Sequence, residues 1–325
     1  MHAAIRAIEY FLPEAVLSNE MLQADFPELL AAKIEQKTGI STRHLTAPGE
    51  CASDLAEQAS RKLLASGICL PGEIDFILLC TQSPDYFLPT TACLLQHRLG
   101  IPSTSGALDF NLGCSGYIYG LGLAKGLVES GQSRNVLLLT AETYSKYMDR
   151  GDRNVRVIFG DAAAATLVSS QEGQGERIGP FVYGTDGSGA ANLMVRSGAS
   201  RQQIATQPSD AHLFMNGPEI FNFTIRTIPA CIDQFLEKAQ LRLEDIDLWV
   251  FHQANSYMLN HLREKLNIPA EKFYLNMSDC GNTVSSTIPI ALRRAQTEGR
   301  LHTGDKIALV GFGVGYSWGA VLIQW

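Results

Sequence analysis

Cys114, His252 and Asn282 are the residues of this chain whose types and settings suit nucleophilic chemistry. Cys114 follows DFNLG and precedes the helical stretch SGYIYGLGLAKGLV. A thiol at a helix N-terminus feels the positive end of the dipole and unpaired N–H groups. Both favour thiolate, the nucleophilic form. Gly113 and Gly116 permit a sharp strand-to-helix turn that would present the sulfur rather than bury it. A cysteine packed as a small hydrophobe is the commoner role, and it suits the other six. His252, in WVFHQAN, stands directly after an apolar run, where a lone histidine is usually just a satisfied polar group. Asn282 stands in MSDCGNTVSS. The Gly-rich GFGVGYSWG (311–319) matches a dinucleotide GxGxxG poorly and reads as backbone that approaches a ligand closely and offers N–H groups. His252 and His261 are nine apart, HExxH and P-loop patterns are absent, and no metal site is expected.

An internal repeat positions these residues. EIDFILLC (73–80) resembles DIDLWVFH (245–252), LGIP (99–102) resembles LNIP (266–269), and ALDFNLGC (107–114) resembles FYLNMSDCG (273–281). NVLLLTAE (135–142) then parallels DKIALVGFG (305–313), and AAAATLV (162–168) parallels WGAVLIQ (318–324). Five matches in the same order indicate a duplicated chain. His252 falls opposite Cys80, so the fold itself does not demand histidine there. Asn282 falls one residue from the counterpart of Cys114. Pseudo-symmetry therefore brings Cys114 and Asn282 to facing strand ends, with His252 on a neighbouring strand; strand ends are where α/β sites form. Continuous apolar strands alternating with helical stretches predict parallel sheets covered on both faces. Two halves, 1–170 and 171–325, are expected, with a polar loop excursion at 171–210.

The chain has 325 residues, 46% hydrophobic and 18% charged, with a net charge of −7, which excludes disorder and argues against a nucleic-acid surface. Apolar runs such as Ile77–Cys80 are far too short for a membrane span, and charged Arg6 and Glu9 break any signal-peptide centre. Seven cysteines without a CxxC pair fit a reducing cytoplasm.

NLGCSGY, HQAN, GNTVSS and GFGVGYSWG resemble the signatures of the β-ketoacyl-acyl carrier protein synthase III family, and EQKTGISTRH (35–44) and VIFGDAAAA (157–165) are similar to two more of its segments. The resemblance runs from Ile5 to Trp325. It implies the thiolase-like five-layered αβαβα fold of two duplicated halves, and a homodimer. It implies Cys114 as the acyl-accepting nucleophile, with His252 and Asn282 holding the thioester carbonyl of malonyl-acyl carrier protein during decarboxylative condensation. Backbone N–H groups of Cys114 and of Gly313, Val314 and Gly315 would stabilise the oxyanion. Lys37, Leu88, Arg153, Phe159 and Asn255 are the implied substrate-binding positions. No cofactor is implied, because acyl-coenzyme A and the carrier's phosphopantetheine act as substrates.

Departures from the family pattern point to a specialised pathway. Lys33 fills the slot of an adenine-stacking Trp, while Arg153 keeps the adenine-side arginine; a carrier-bound acyl donor thus stands beside coenzyme A. Leu88, preceded by Phe87, replaces the Phe that reaches into a partner's acyl pocket, which suggests a wider pocket. Tyr257 and Asn222 replace basic carrier-binding residues; Arg263, Lys265, Arg293 and Arg294 form either a basic patch for an acidic carrier or a solvated helix face.

Three other readings compete. The Cys…His spacing of 138 residues falls within the papain window, but no CGSCW-type run is present. A non-decarboxylating acyltransferase to an alcohol or amine keeps the same residues. A non-catalytic subunit of a heterodimer is at odds with the intact Cys114, His252 and Asn282.

Overall fold

The computed structural model describes residues 2–173 and 175–325. Its first elements are β1 (His2–Phe11), β2 (Ala15–Ser18), α1 (Asn19–Asp25), α2 (Ala31–Thr38), β3 (Thr42–Leu45), α3 (Ala52–Ala65) and β4 (Phe76–Cys80). There follow α4 (Thr91–Arg98), β5 (Gly106–Phe110), α5 (Gly116–Glu129), β6 (Asn135–Glu142), α6 (Arg153–Arg156), β7 (Ala162–Gln171) and β8 (Ile178–Thr185). The remainder comprises β9 (Leu193–Val195), β10 (Leu213–Met215), α7 (Gly217–Ala239), β11 (Leu248–Phe251), α8 (Ser256–Lys265), β12 (Phe273–Tyr274), α9 (Thr287–Thr297), β13 (Lys306–Gly313) and β14 (Ser317–Gln324).

Two five-stranded sheets run β5-β4-β6-β7-β1 and β12-β11-β13-β14-β8. Taken in pairs, each strand of one sheet has its repeat at the same place in the other. The repeat reaches one pair further than the matched segments, because β8 answers β1. Part of the expected loop excursion is therefore β8, which pairs antiparallel with β14. Its IGPFVYGT was obscured by the polar residues around it.

The sheets are mixed rather than parallel. β4 runs parallel to β5 and β6, but β6–β7 and β1–β7 are antiparallel. β11 likewise pairs parallel with β12 and β13, and β13 turns tightly into antiparallel β14. Continuous apolar runs report burial on both faces, not strand direction.

Side-chain alternation sorts the layers. Leu78 and Leu138 face inward onto α5, whereas Ile77, Leu79 and Leu137 face outward onto α3 and α4. In the second sheet Val250 and Leu309 face α5 and α9, while Trp249, Phe251 and Val310 face α7 and α8. The layers are thus α3/α4, sheet, α5/α9, sheet, α7/α8. α5 lies between the two sheets, which explains its largely apolar composition, with Lys125 and Glu129 paired toward its end. Gly120 lets it sit tight, since a Cβ there would meet Leu138 Cδ1 at 2.6 Å. Fully burying a Leu or Ile contributes about 1.5–3 kcal/mol, and the central layer holds Ile118, Leu121, Ile288 and Leu292 at 0% exposure. No helix among the described residues is long and apolar enough to cross a membrane.

Candidate active site

The parallel strands β4, β5, β6, β11 and β13 end on one side of the molecule, and their C-terminal ends carry the candidate residues. Cys114 lies in the loop from β5 to α5, where Gly116 N–H bonds Gly113 C=O at 2.8 Å. Gly313, the last residue of β13, presses its backbone on this thiol. A Cβ at Gly313 would lie 2.8 Å from Cys114 Cβ and 3.0 Å from Sγ, so only glycine fits.

His252 follows β11 and is 2% exposed. Its ring packs edge-on against Phe312, next to Gly313. Nδ1 lies 2.7 Å from Thr287 Oγ1, and Nε2 lies 3.4 Å from Asn282 Nδ2. Burial pushes the imidazole down to about 3, so it is neutral at physiological pH. Asn282 is held by a backbone bridge to Phe159. Its Oδ1 accepts from Val284 N–H at 2.9 Å, which turns the amide NH2 toward His252. Phe159 packs with Cys114, Tyr144, Val155 and Val284, closing the ring of contacts around the thiol.

Cys114 departs from the thiolate expectation. It is 5% exposed, and burial followed by the nearby Glu142 carboxyl pushes its thiol up. The helix dipole is overruled because desolvating an anion costs more than a helix end returns. The sulfur is buried rather than presented. Tyr144, Leu193, Leu213 and Val314 pack with Cys114 and also form the wall of a cavity of about 720 Å³.

Glu142, at the end of β6, escaped sequence analysis. It is 0% exposed and pushed up to about 8, chiefly by burial. Its Oε2 accepts from Gln82 N–H at 3.0 Å and Ser83 Oγ at 3.3 Å, and its Oε1 from Ser285 Oγ at 2.8 Å. One carboxyl thus joins the two sheets' loops. A carboxyl raised on folding stabilises fully below its unfolded value, near 4.5, and loses that contribution as pH rises through about 8. Between these limits stability falls by up to about 1.4 kcal/mol per pH unit. Glu142→Gln is expected to flatten that decline. Urea denaturation of both proteins at pH 5.5 and 8 checks it, and equal slopes with pH would refute it.

The remaining candidates are dispersed. Lys37 lies on the exposed face of α2, outside the cluster around Cys114. Leu88 is 83% exposed on the loop after β4, although its neighbour Phe87 borders the cavity. Arg153 on α6 is ion-paired to Glu28 at 2.7 Å over a separate surface hollow. Asn255 caps α8, its Oδ1 accepting from Met258 N–H at 2.9 Å. Val314 lines the cavity, and Gly315 has φ of +135°, a backbone conformation that favours glycine. Of the four basic residues, Arg293 pairs with Glu9, Arg294 with Asp279 and Arg263 with Glu264, and Lys265 Nζ bonds Ile225 C=O. Gln82, Tyr144 and Leu213 had no sequence signal, because only the fold gathers them.

Residues 108–187 match the family model of 3-oxoacyl-[acyl-carrier-protein] synthase III, and residues 236–325 match its C-terminal model. The chain belongs to the β-ketoacyl-[acyl-carrier-protein] synthase III family. It is 39% identical to that synthase of Clostridium perfringens, over 97% of this chain and 96% of the relative. It is 36% identical to that of Caldanaerobacter subterraneus subsp. tengcongensis, over 99% and 98%. A crystal structure of a 3-oxoacyl-(acyl-carrier-protein) synthase III superposes with a TM-score of 0.98 at 51% identity, covering all of both chains. With this family comes the thiolase-like fold, which the five layers and the strand-for-strand repeat display. The synthase III neighbours share the whole chain rather than one half.

Proposed function

We propose that this protein is a β-ketoacyl-acyl carrier protein synthase III that joins an acyl group to malonyl-acyl carrier protein with loss of carbon dioxide. The observation that carries the reading is the neutral His252 beside the Asn282 amide, at 3.4 Å, linked to the Cys114 thiol through Phe312–Gly313 on one side and Phe159 on the other. A polar pair of that kind suits a developing enolate oxygen.

The Cys114 sulfur attacks the carbonyl of an acyl-coenzyme A or acyl-carrier thioester. A new C–S bond forms, the old one breaks, and the departing thiolate takes the thiol proton. Because Cys114 resists ionisation in the free protein, its proton leaves as the donor's thiolate departs rather than beforehand. Cys114 N–H and the backbone of Gly313, Val314 and Gly315 would steady the tetrahedral oxyanion. Malonyl-acyl carrier protein then enters, its thioester oxygen facing His252 and Asn282. The carboxylate leaves as carbon dioxide, its electron pair becomes the enolate, and the enolate carbon attacks the acyl-cysteine. Cys114 departs as thiolate and regains a proton from solvent. Phe159 and the Tyr144 wall shape the acyl pocket; Lys37 and Arg153 remain candidates for holding the donor's far end.

The working unit is a homodimer. Among the described residues β5 is hydrogen-bonded to β4 alone, so one of its edges is unpaired there. Beside it Tyr86, Phe87 and Leu88 are exposed large hydrophobics, which a second copy would cover.

Mass spectrometry tests the whole reading. Incubation with acyl donors is expected to label Cys114, and malonyl-acyl carrier protein is then expected to release carbon dioxide and yield a β-ketoacyl product from a dimer. Labelling elsewhere, acyl transfer to an alcohol or amine without carbon dioxide release, or full activity from a monomer would each overturn the corresponding step.

A further inference from the structure

Asn282 to Thr287 form a turn in which three consecutive hydroxyls reach two elements, the end of β6 and the residue after β11. Ser285 bonds Glu142, Ser286 bonds Thr140 Oγ1 at 2.8 Å, and Thr287 bonds His252 at 2.7 Å. Within it Val284 has φ of +56°, which a β-branched residue rarely adopts. Asn282 Oδ1 holds that conformation by accepting from Val284 N–H, and Thr287 Oγ1 also lies 3.1 Å from Val284 C=O.

Thr287 has one hydroxyl proton and two acceptors within reach. Given to Val284 C=O, it leaves Oγ1 to accept from His252 Nδ1–H, and Nε2 carries only a lone pair. Given to His252 Nδ1, the shorter contact, it leaves the neutral imidazole with its proton on Nε2. The state of one ring nitrogen is set by the bond the other makes. The Asn282 amide discriminates between the two arrangements. Its NH2 faces Nε2 at 3.4 Å, which is long for an N–H···N hydrogen bond and suits two donors lying side by side.

We propose that Thr287 donates its hydroxyl proton to His252 Nδ1 and so holds the imidazole as the Nε2–H tautomer, making Nε2 and Asn282 Nδ2 a matched pair of donors. The need for two donors rests on the condensation reading above. With the opposite tautomer, Nε2 would repel an approaching carbonyl oxygen and would engage one of the two Asn282 N–H groups, so the matched pair would be broken. Thr287 is therefore a positioning residue for condensation and has no part in loading Cys114.

Nitrogen NMR of the full chain labelled with ¹⁵N-histidine, together with Thr287→Val and Thr287→Ser, tests this. The wild-type His252 spectrum is expected to show a protonated Nε2 and an unprotonated Nδ1. Thr287→Val is expected to lose that signature and to condense roughly 10–100-fold more slowly, with Cys114 acylation within about threefold of wild type. Thr287→Ser is expected to restore both. A protonated Nδ1 in the wild type, or wild-type condensation by Thr287→Val, overturns the proposal. If Thr287→Val does not fold, the wild-type spectrum and the serine variant still decide it. A wild-type protein that loads Cys114 yet never condenses would instead sink the functional reading, while the spectrum would still judge the tautomer.

Discussion

Replacing Cys114 with Ala is expected to abolish acyl-enzyme formation, lowering turnover by at least about 10³-fold, because no other thiol can take the sulfur's place. Two buried cysteines illustrate why. Cys80 is fully buried, donates to Leu112 C=O at 2.9 Å, and is pushed up by burial and Glu142. Cys280 is buried and likewise pushed up, to about 12. The variant should remain folded, since one sulfur is lost from a cluster that keeps Tyr144, Phe159 and Val284. Intact-mass measurement after exposure to an acyl donor checks this, and acylated Cys114→Ala protein would remove Cys114 from the mechanism. A companion result follows from the raised thiol. Alkylation of wild-type Cys114 by iodoacetamide should be slow at pH 7 and accelerate with pH, whereas a thiolate poised by the helix dipole would already react fast at pH 7.

Replacing His252 with Ala is expected to divide the two half-reactions. Cys114 should still be acylated within a few-fold of wild type, whereas condensation should fall by about 10²–10³-fold, the usual effect of losing one donor to a developing oxyanion. The variant also strands its neighbours: Thr287 Oγ1 loses its partner at 2.7 Å and Asn282 Nδ2 its neighbour at 3.4 Å. Stopped-flow acylation beside carbon dioxide release separates the steps, and normal condensation by the variant would take His252 out of the second one. A pH consequence accompanies it. Since burial keeps the imidazole neutral down to about pH 3, His252 imposes no inflection on wild-type condensation between pH 6 and 8. An inflection there that vanished in His252→Ala would contradict the neutral-donor role.

Much of the architecture was legible in the chain because duplication writes the same strands twice. Ile77–Cys80 and Leu248–Phe251 read as buried strands from their apolar runs, and their shared order implied matching sheets. Strand direction was not legible. The Ala162–Gln171 run is as apolar as a parallel strand because both faces of its sheet are covered, yet it returns antiparallel. The capping role of Asn255 was not legible either, since a polar residue before a helix suits a ligand contact and a cap alike, and its Oδ1 caps α8.

By itself the sequence determined the residue types, their order and the two-fold repeat, and hence that Cys114, His252 and Asn282 stand beyond strand ends. Only the tertiary structure decided how those groups behave. The layers close over Cys114 and His252, and desolvation then sets both in their uncharged forms, against the helix dipole in the case of the thiol. Thr287 and Glu142 gained their places the same way, since contacts across 35 and 143 residues exist only once the elements are packed. Ionisation and hydrogen-bond partnership depend on what surrounds a group in space, and local sequence carries little record of that.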